Sequence, residues 1–230
     1  MIQLNADKLV GTIKQLKLRI NDRFPESGLE KVCDQFLNIA RKSKEKAEWI
    51  AKPNLAIRLS SFAAILIAVI GIVYTISFVD FSIQDNTLVN IMTLLDALIN
   101  DVVLLGAAIF FLITIESRVK RKRALERLNE LRVIAHVIDM HQLTKDPNVI
   151  GKSSMNTVNS PTRVFTQYEL ERYLDYCSEL MSLISKVAVL YAQSLPDEVV
   201  VRSVNEIEEL TSGLSRKIYQ KLMILNNGKE

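Results

Sequence analysis

Residues 59–79, LSSFAAILIAVIGIVYTISFV, decide how this chain is read. They contain no charged side chain. A helix rises 1.5 Å per residue, so about 20 apolar residues match a hydrocarbon core about 30 Å thick. The stretch predicts a membrane-spanning helix.

Working outward, charge is partitioned around it. Residues 1–58 carry 12 basic and 7 acidic side chains, 59–117 carry 0 and 5, and 118–230 carry 17 and 14. The formal net charge of +3 therefore hides three electrostatic zones. The middle zone holds a second apolar stretch, 88–115, interrupted in its first half by Asn90, Asp96, Asn100 and Asp101. Its cleanly apolar part, 102–115, is too short to cross alone. It predicts a long helix that starts outside the bilayer and crosses with residues 95–115, leaving an acidic outer connection at 80–94 that carries Asp80 and Asp85.

Orientation follows from the basic side chains. Arg41, Lys42, Lys44, Lys46, Lys52 and Arg58 precede the first span, and Arg118, Lys120, Arg121, Lys122, Arg123 and Arg127 follow the second. Lys and Arg stay on the cytoplasmic side, so both ends are expected there, with the chain a multi-pass protein of the plasma (inner) membrane and the lipid bilayer its first partner. Trp49, Arg58, Arg118 and Arg121 are the expected anchors at the membrane interface. The first apolar run of the right size follows a long charged region, so the first span is expected to serve as its own insertion signal.

Two stripes give the spans faces. Ser60, Ala64, Ala68, Gly71 and Thr75 recur at three- and four-residue intervals, and Gly106, Ala107 and Ala108 offer similar room on the second span. Small residues let helices approach closely where lipid supplies no hydrophobic drive, which predicts an antiparallel hairpin. Matching depths sets Asp101 near Val73, Asn100 near Tyr74 and Asp96 near Phe78. Asn90, Thr93, Asp96, Asn100 and Asp101 fall within about 140° of the second helix at 100° per residue, a polar stripe that lipid does not tolerate. It reads as an interfacial helix end whose acids Tyr74 and Ser77 hydrogen-bond, as the lining of a cation path shared by several chains, or as a group with a proton-coupled role.

The flanks read as cytoplasmic amphipathic helices. Leu9, Ile13, Leu16 and Ile20 form one stripe; a second helix opens with Ser27 and Glu30 as a capping box and carries Leu29, Val32, Cys33, Phe36, Leu37 and Ala40. The second span runs without a breaker into a cytoplasmic helix over 117–144, with Leu125, Leu128, Leu131, Ala135 and Ile138 on one side. Pro147, Gly151, paired serines and Pro161 make 145–165 a long loop. A capping box at Thr166 and Glu169 then opens the helical hairpin of 166–230. Its first helix bears Leu170, Leu174, Cys177, Met181, Ile184, Ala188 and Tyr191 at near-heptad spacing, a coiled-coil-like seam, and its second bears Val200, Val204, Ile207, Leu214, Ile218 and Leu225. The expected interface of this bundle is Leu170, Leu174, Cys177, Met181, Ile184, Val204, Ile207, Leu214 and Ile218, closed within one chain or completed by neighbours.

Chemistry is sparse. Both histidines lie in AHVIDMHQLTKD, where His136, Asp139, His141 and Asp146 are the only set resembling metal ligands; they converge only if the helix stops near Met140, because His141 points about 140° away from His136, and the plainer reading is ordinary polar contacts at a helix end, with a regulatory proton switch as the third. Cys33 and Cys177 sit on apolar stripes and read as small buried hydrophobes. The seven glycines form no phosphate-binding loop, and nucleophile elbows, HExxH and paired CxxC motifs are missing, so no catalytic residue, enzyme activity or cofactor is expected. The run 118–123 abuts a membrane span, which explains it by topology rather than by nucleic acid.

The sequence thus predicts an all-α protein, a two-span transmembrane hairpin (59–116) with a cytoplasmic bundle built from the amphipathic helices of 1–58 and 117–230. The leading functional expectation is a self-associating scaffold, a homo-oligomer with a cytoplasmic protein partner. An oligomeric ion channel or pore-forming effector is the second reading, and a membrane-tethered metal-binding protein the third.

Overall fold

The structure, a computed structural model, describes residues 3–53, 55–77, 87–149 and 165–227. Asp80, Asp85 and most of the expected loop at 145–165 lie outside them. Among the described residues the secondary structure is entirely helical. Two compact units emerge, Lys52–Lys120 in one and Met1–Ala51 with Arg121–Glu230 in the other.

In the larger unit, α1 (Ala6–Arg23) and α2 (Gly28–Ala51) form a hairpin. Asn5 caps α1, its Oδ1 accepting from the Lys8 N–H at 3.0 Å, one of the donors a helix start leaves bare. Glu26 takes up the left-handed conformation in the turn, φ 56°, and Ser27 Oγ accepts from the Glu30 N–H at 3.1 Å to begin α2. Lys17 bridges to Glu30 and Asp34, and Lys44 to Asp7, so the two helices run antiparallel.

Helix α4 (Thr87–Leu143) contributes its portion from Arg121 to this unit, and α5 (Gln167–Ser194) and α6 (Glu198–Asn227) complete it. Thr166 and Glu169 form the reciprocal capping box that opens α5. Asp197 opens α6, accepting from the N–H groups of Val199 and Val200 at 3.1 and 3.3 Å. Directions follow from side-chain pairs. Arg121 meets Asp197, Arg132 meets Glu206 and Lys221 donates to the Gln142 carbonyl, which makes α4 and α6 parallel. Gln167 reaches the Leu225 carbonyl, Arg19 pairs with Glu179 and Phe24 packs on Phe165, which turns α5 against both α6 and α1. The Arg123 guanidinium lies over Trp49, 4.4 Å from the ring centre, and His141 packs on Gly28, so α2 opposes α4. Helices α1, α4 and α6 thus point one way and α2 and α5 the other.

Helix α5 is the centre. The expected stripe Leu170, Leu174, Cys177, Met181, Ile184, Ala188 and Tyr191 is buried, and so is a second seam one residue out of step, Tyr173, Tyr176, Leu180, Leu183, Val187 and Leu190. Two seams at heptad spacing cover too much of the circumference for a helix with only one neighbour.

The smaller unit holds α3 (Leu55–Ser77) and the first part of α4. Arg58 Nε meets Glu116 at 3.4 Å, and Gly71 and Ile72 share a crevice with Asp101, Leu104 and Leu105, so the helices run antiparallel in the expected register. No described residue of this unit is buried. Phe62, Ile67, Phe110 and Phe111 are 60 to 73% exposed. Among the described residues one helix, Ile99–Leu143, is long and apolar enough to cross a bilayer; the apolar part of α3, Arg58–Tyr74, is shorter. At 1.5 Å per residue the latter is about 25 Å long, a little less than the hydrocarbon thickness of about 30 Å. Helix α4 already begins at Thr87, within the segment 80–94 read as the outer connection.

Gly28 lies so close to His141 that a Cβ there would overlap the imidazole. Gly28→Ala should lower stability in denaturant unfolding by about 1 kcal/mol, the lower end for overpacking. In a His141→Ala background the same substitution should be neutral or stabilising, giving a measurable coupling in a double-mutant cycle.

Candidate functional site

The expected polar stripe lies on α4, as its spacing requires, but its members do not share one environment. Asp96 and Asn100 are exposed, whereas Asp101 is half-buried and lines a crevice of about 420 Å³ between α3 and α4. Ala64, Ala68 and Gly71 of the small-residue stripe line the same crevice with Ala108. Tyr74 is 63% exposed. Asn90 and Thr93 lie on the helix, with side chains outside those described. A side chain added at Gly71 would meet nothing within 4 Å, so the crevice is open space there rather than tight packing. The physical content is one carboxylate set among apolar and small side chains.

The second candidate lies at the end of α4. The helix continues past Met140 to Leu143, so His136 and His141 stay on different faces. His136 is exposed, Asp139 accepts from Gln142 Nε2 at 2.6 Å, and Asp146 accepts from Asn148. His141 packs against Gly28 of α2. Among the described residues no three His, Cys, Asp or Glu side chains gather as a metal site, and the four expected ligands are not brought together. What gathers is a polar cluster. Gln142 is buried, its carbonyl accepts from Lys221 Nζ at 2.7 Å, and burial lowers the Lys221 pKa below its ordinary value against the pull of Asp146 and Asp139. Lys145 stacks over Phe165 and Tyr173 at 4.6 and 5.4 Å.

The other expected residues are placed as follows. The bundle residues Leu170, Leu174, Cys177, Met181, Ile184, Val204, Ile207, Leu214 and Ile218 are all buried within the one chain. Cys33 and Cys177 are free, and burial pushes both thiols up to about 12, which suits inert hydrophobes. Of the anchors, Trp49 is 38% exposed beneath Arg123, Arg58 meets Glu116, Arg118 is exposed, and Arg121 is held by Asp197, whose pKa that guanidinium lowers.

Sequence reasoning missed a cluster made where α1 and α5 meet: Arg19, Arg23, Tyr168, Arg172 and Tyr176. Each is unremarked on its own helix. The local signal was the recurrence of Tyr168, Arg172 and Tyr176 at four-residue intervals, which puts them on one face.

Comparison of the chain with protein-family models, curated proteins and solved structures finds no match.

Burial, then Lys145, lowers the His141 pKa. The folded chain therefore holds this proton less tightly than the unfolded chain, and unfolding takes one up. His141 leaves stability intact above the ordinary imidazole value of 6.5 and erodes it as pH falls below. Urea unfolding between about pH 7 and 5 should show that loss, and His141→Gln should flatten it; an unchanged slope in the variant would assign the pH dependence elsewhere.

Proposed function

We propose that this chain is an integral membrane protein in which a two-helix hairpin, with spans at about 59–79 and 95–115, anchors a cytoplasmic helical bundle, and that the bundle acts in assembly or partner binding rather than catalysis. The observation that carries this reading is the contrast in burial. The bundle closes its own apolar side chains, with Ile13, Phe36, Leu128, Leu174 and Ile218 fully buried or nearly so. The apolar pair, α3 and the part of α4 before Arg121, buries none of its described residues. Leaving a large apolar side chain in water forgoes about 1.5–3 kcal/mol, and Leu59, Phe62, Leu66, Ile70, Val103, Phe110 and Phe111 would all do so. Lipid removes that cost. The basic residues on both flanks support cytoplasmic ends, and Arg58 with Lys120 on Glu116 sets the charged boundary of both apolar helices at one level.

Topology is tested by accessibility, because Cys33 and Cys177 are buried and give little background. The chain should resist alkaline carbonate extraction. Gln84→Cys should react with an impermeant maleimide on intact cells, and Ser212→Cys only after permeabilisation. Carbonate release of the chain, or equal labelling of both positions, would overturn the hairpin.

The exposed Asp96, little more than a turn from the half-buried Asp101, and the exposed Asn100 beside it favour an oligomeric cation path as a second reading. Native mass spectrometry in nanodiscs separates the two. A monomer or dimer supplies too few helices for an ordinary pore and supports the anchor and scaffold. A ring of four or more whose cation flux falls on Asp101→Asn supports the channel.

A further inference from the structure

A groove of about 590 Å³ on the bundle is lined by Arg19, Asp22 and Arg23 from α1 and by Tyr168, Arg172 and Tyr176 from α5. Residues three and four apart on antiparallel helices supply both walls. The lining sets three guanidiniums against one carboxylate. All three are stacked: Arg19 and Arg172 over Tyr176, at 5.2 and 5.4 Å from the ring centre, and Arg23 over Tyr168 at 5.1 Å. Tyr176 is 3% exposed and meets Phe24 edge to face, so its ring is a fixed platform. Stacking holds the guanidinium planes, and because Glu179 takes the edge of Arg19 and Asp175 one nitrogen of Arg172, the donors left for an anion are chiefly those of Arg23 and the rest of Arg172.

Two nearby carboxylates hold groove arginines from outside the lining, and a third is taken up in a helix cap. Glu179 takes Arg19 through two hydrogen bonds of 2.9 and 3.2 Å, Asp175 takes one nitrogen of Arg172 at 2.7 Å, and neither lines the groove. Glu169, whose charge Arg23 favours, accepts from the Thr166 N–H and hydroxyl in the cap of α5. Among the described residues Arg23 makes no ion pair; its neighbours are the phenols of Tyr168 and Tyr176. A compact anion with several acceptor oxygens suits this arrangement, and a groove of this size falls in the range of small-molecule sites.

We infer that this groove binds a phosphoryl group, borne by a small phosphorylated molecule or by a lipid headgroup, with Arg23 and Arg172 as its chief contacts. The full-length chain in phosphatidylcholine nanodiscs is titrated calorimetrically with inorganic pyrophosphate. In parallel, native mass spectrometry reads retention of a phosphatidylinositol phosphate from mixed nanodiscs, with phosphatidylserine at matched charge as control. Saturable pyrophosphate binding that weakens about tenfold in Arg23→Gln and in Arg172→Gln, but not in the distant Arg202→Gln, supports a soluble ligand. Selective lipid retention lost in the same two variants, without pyrophosphate binding, supports the headgroup. No saturable binding in either arm, or binding indifferent to Arg23 and Arg172 in variants that keep the parent's melting temperature, overturns the inference. Should Arg23→Gln fail to fold, Arg23→Lys keeps the charge and loses the bidentate edge; undiminished binding by that variant and by Arg172→Gln would equally overturn it.

Discussion

The bundle rests on the enclosure of α5. A helix with two apolar seams has no stable existence with one side in water, so it must be clasped by neighbours on several sides. Phe24 of α1 meets Tyr173 and Tyr176, Ser43 of α2 comes up to Tyr191, and Gln167 ties the start of α5 to the end of α6. Burial carries a chemical mark: the Tyr191 phenol is pushed up to about 12, with Ser43 and Arg127 drawing it back. The ion pairs that fix helix direction lie at the rim, where a pair contributes little energy but discriminates between arrangements.

The same hydrophobic physics has opposite outcomes in the two units. In the bundle, apolar stripes alternate with charged faces, and each stripe finds another helix. In α3 and the first part of α4 apolar residues go nearly all the way round, and one antiparallel contact cannot cover them. The crevice beside Asp101 shows how little the pair encloses, for the small residues that would permit close approach line open space.

Much of the bundle was legible because stripes read locally are buried locally: Leu9, Ile13, Leu16 and Ile20 of α1, and Val204, Ile207, Leu214 and Ile218 of α6, all face inward. Taking one stripe per helix hid the central place of α5, although Tyr173, Leu180 and Val187 were equally periodic in the sequence. The histidine set at the end of α4 failed to converge for a local reason, since the helix runs on to Leu143. The arginine and tyrosine groove was invisible for a non-local one: its walls come from helices about 150 residues apart, and only the pairing of α1 with α5 creates it.

The contact of Trp49 with Arg123 brings together the two points of the bundle between which residues 52–120 are inserted. That adjacency makes the bundle discontinuous in the order of translation. The α1–α2 hairpin emerges from the ribosome first, the apolar excursion next, and the central helix only afterwards. Ile13, Leu16 and Phe36 must therefore wait with an uncovered apolar face while the intervening helices are synthesised. In that interval other nascent chains and chaperones compete for a surface that α5 will later claim.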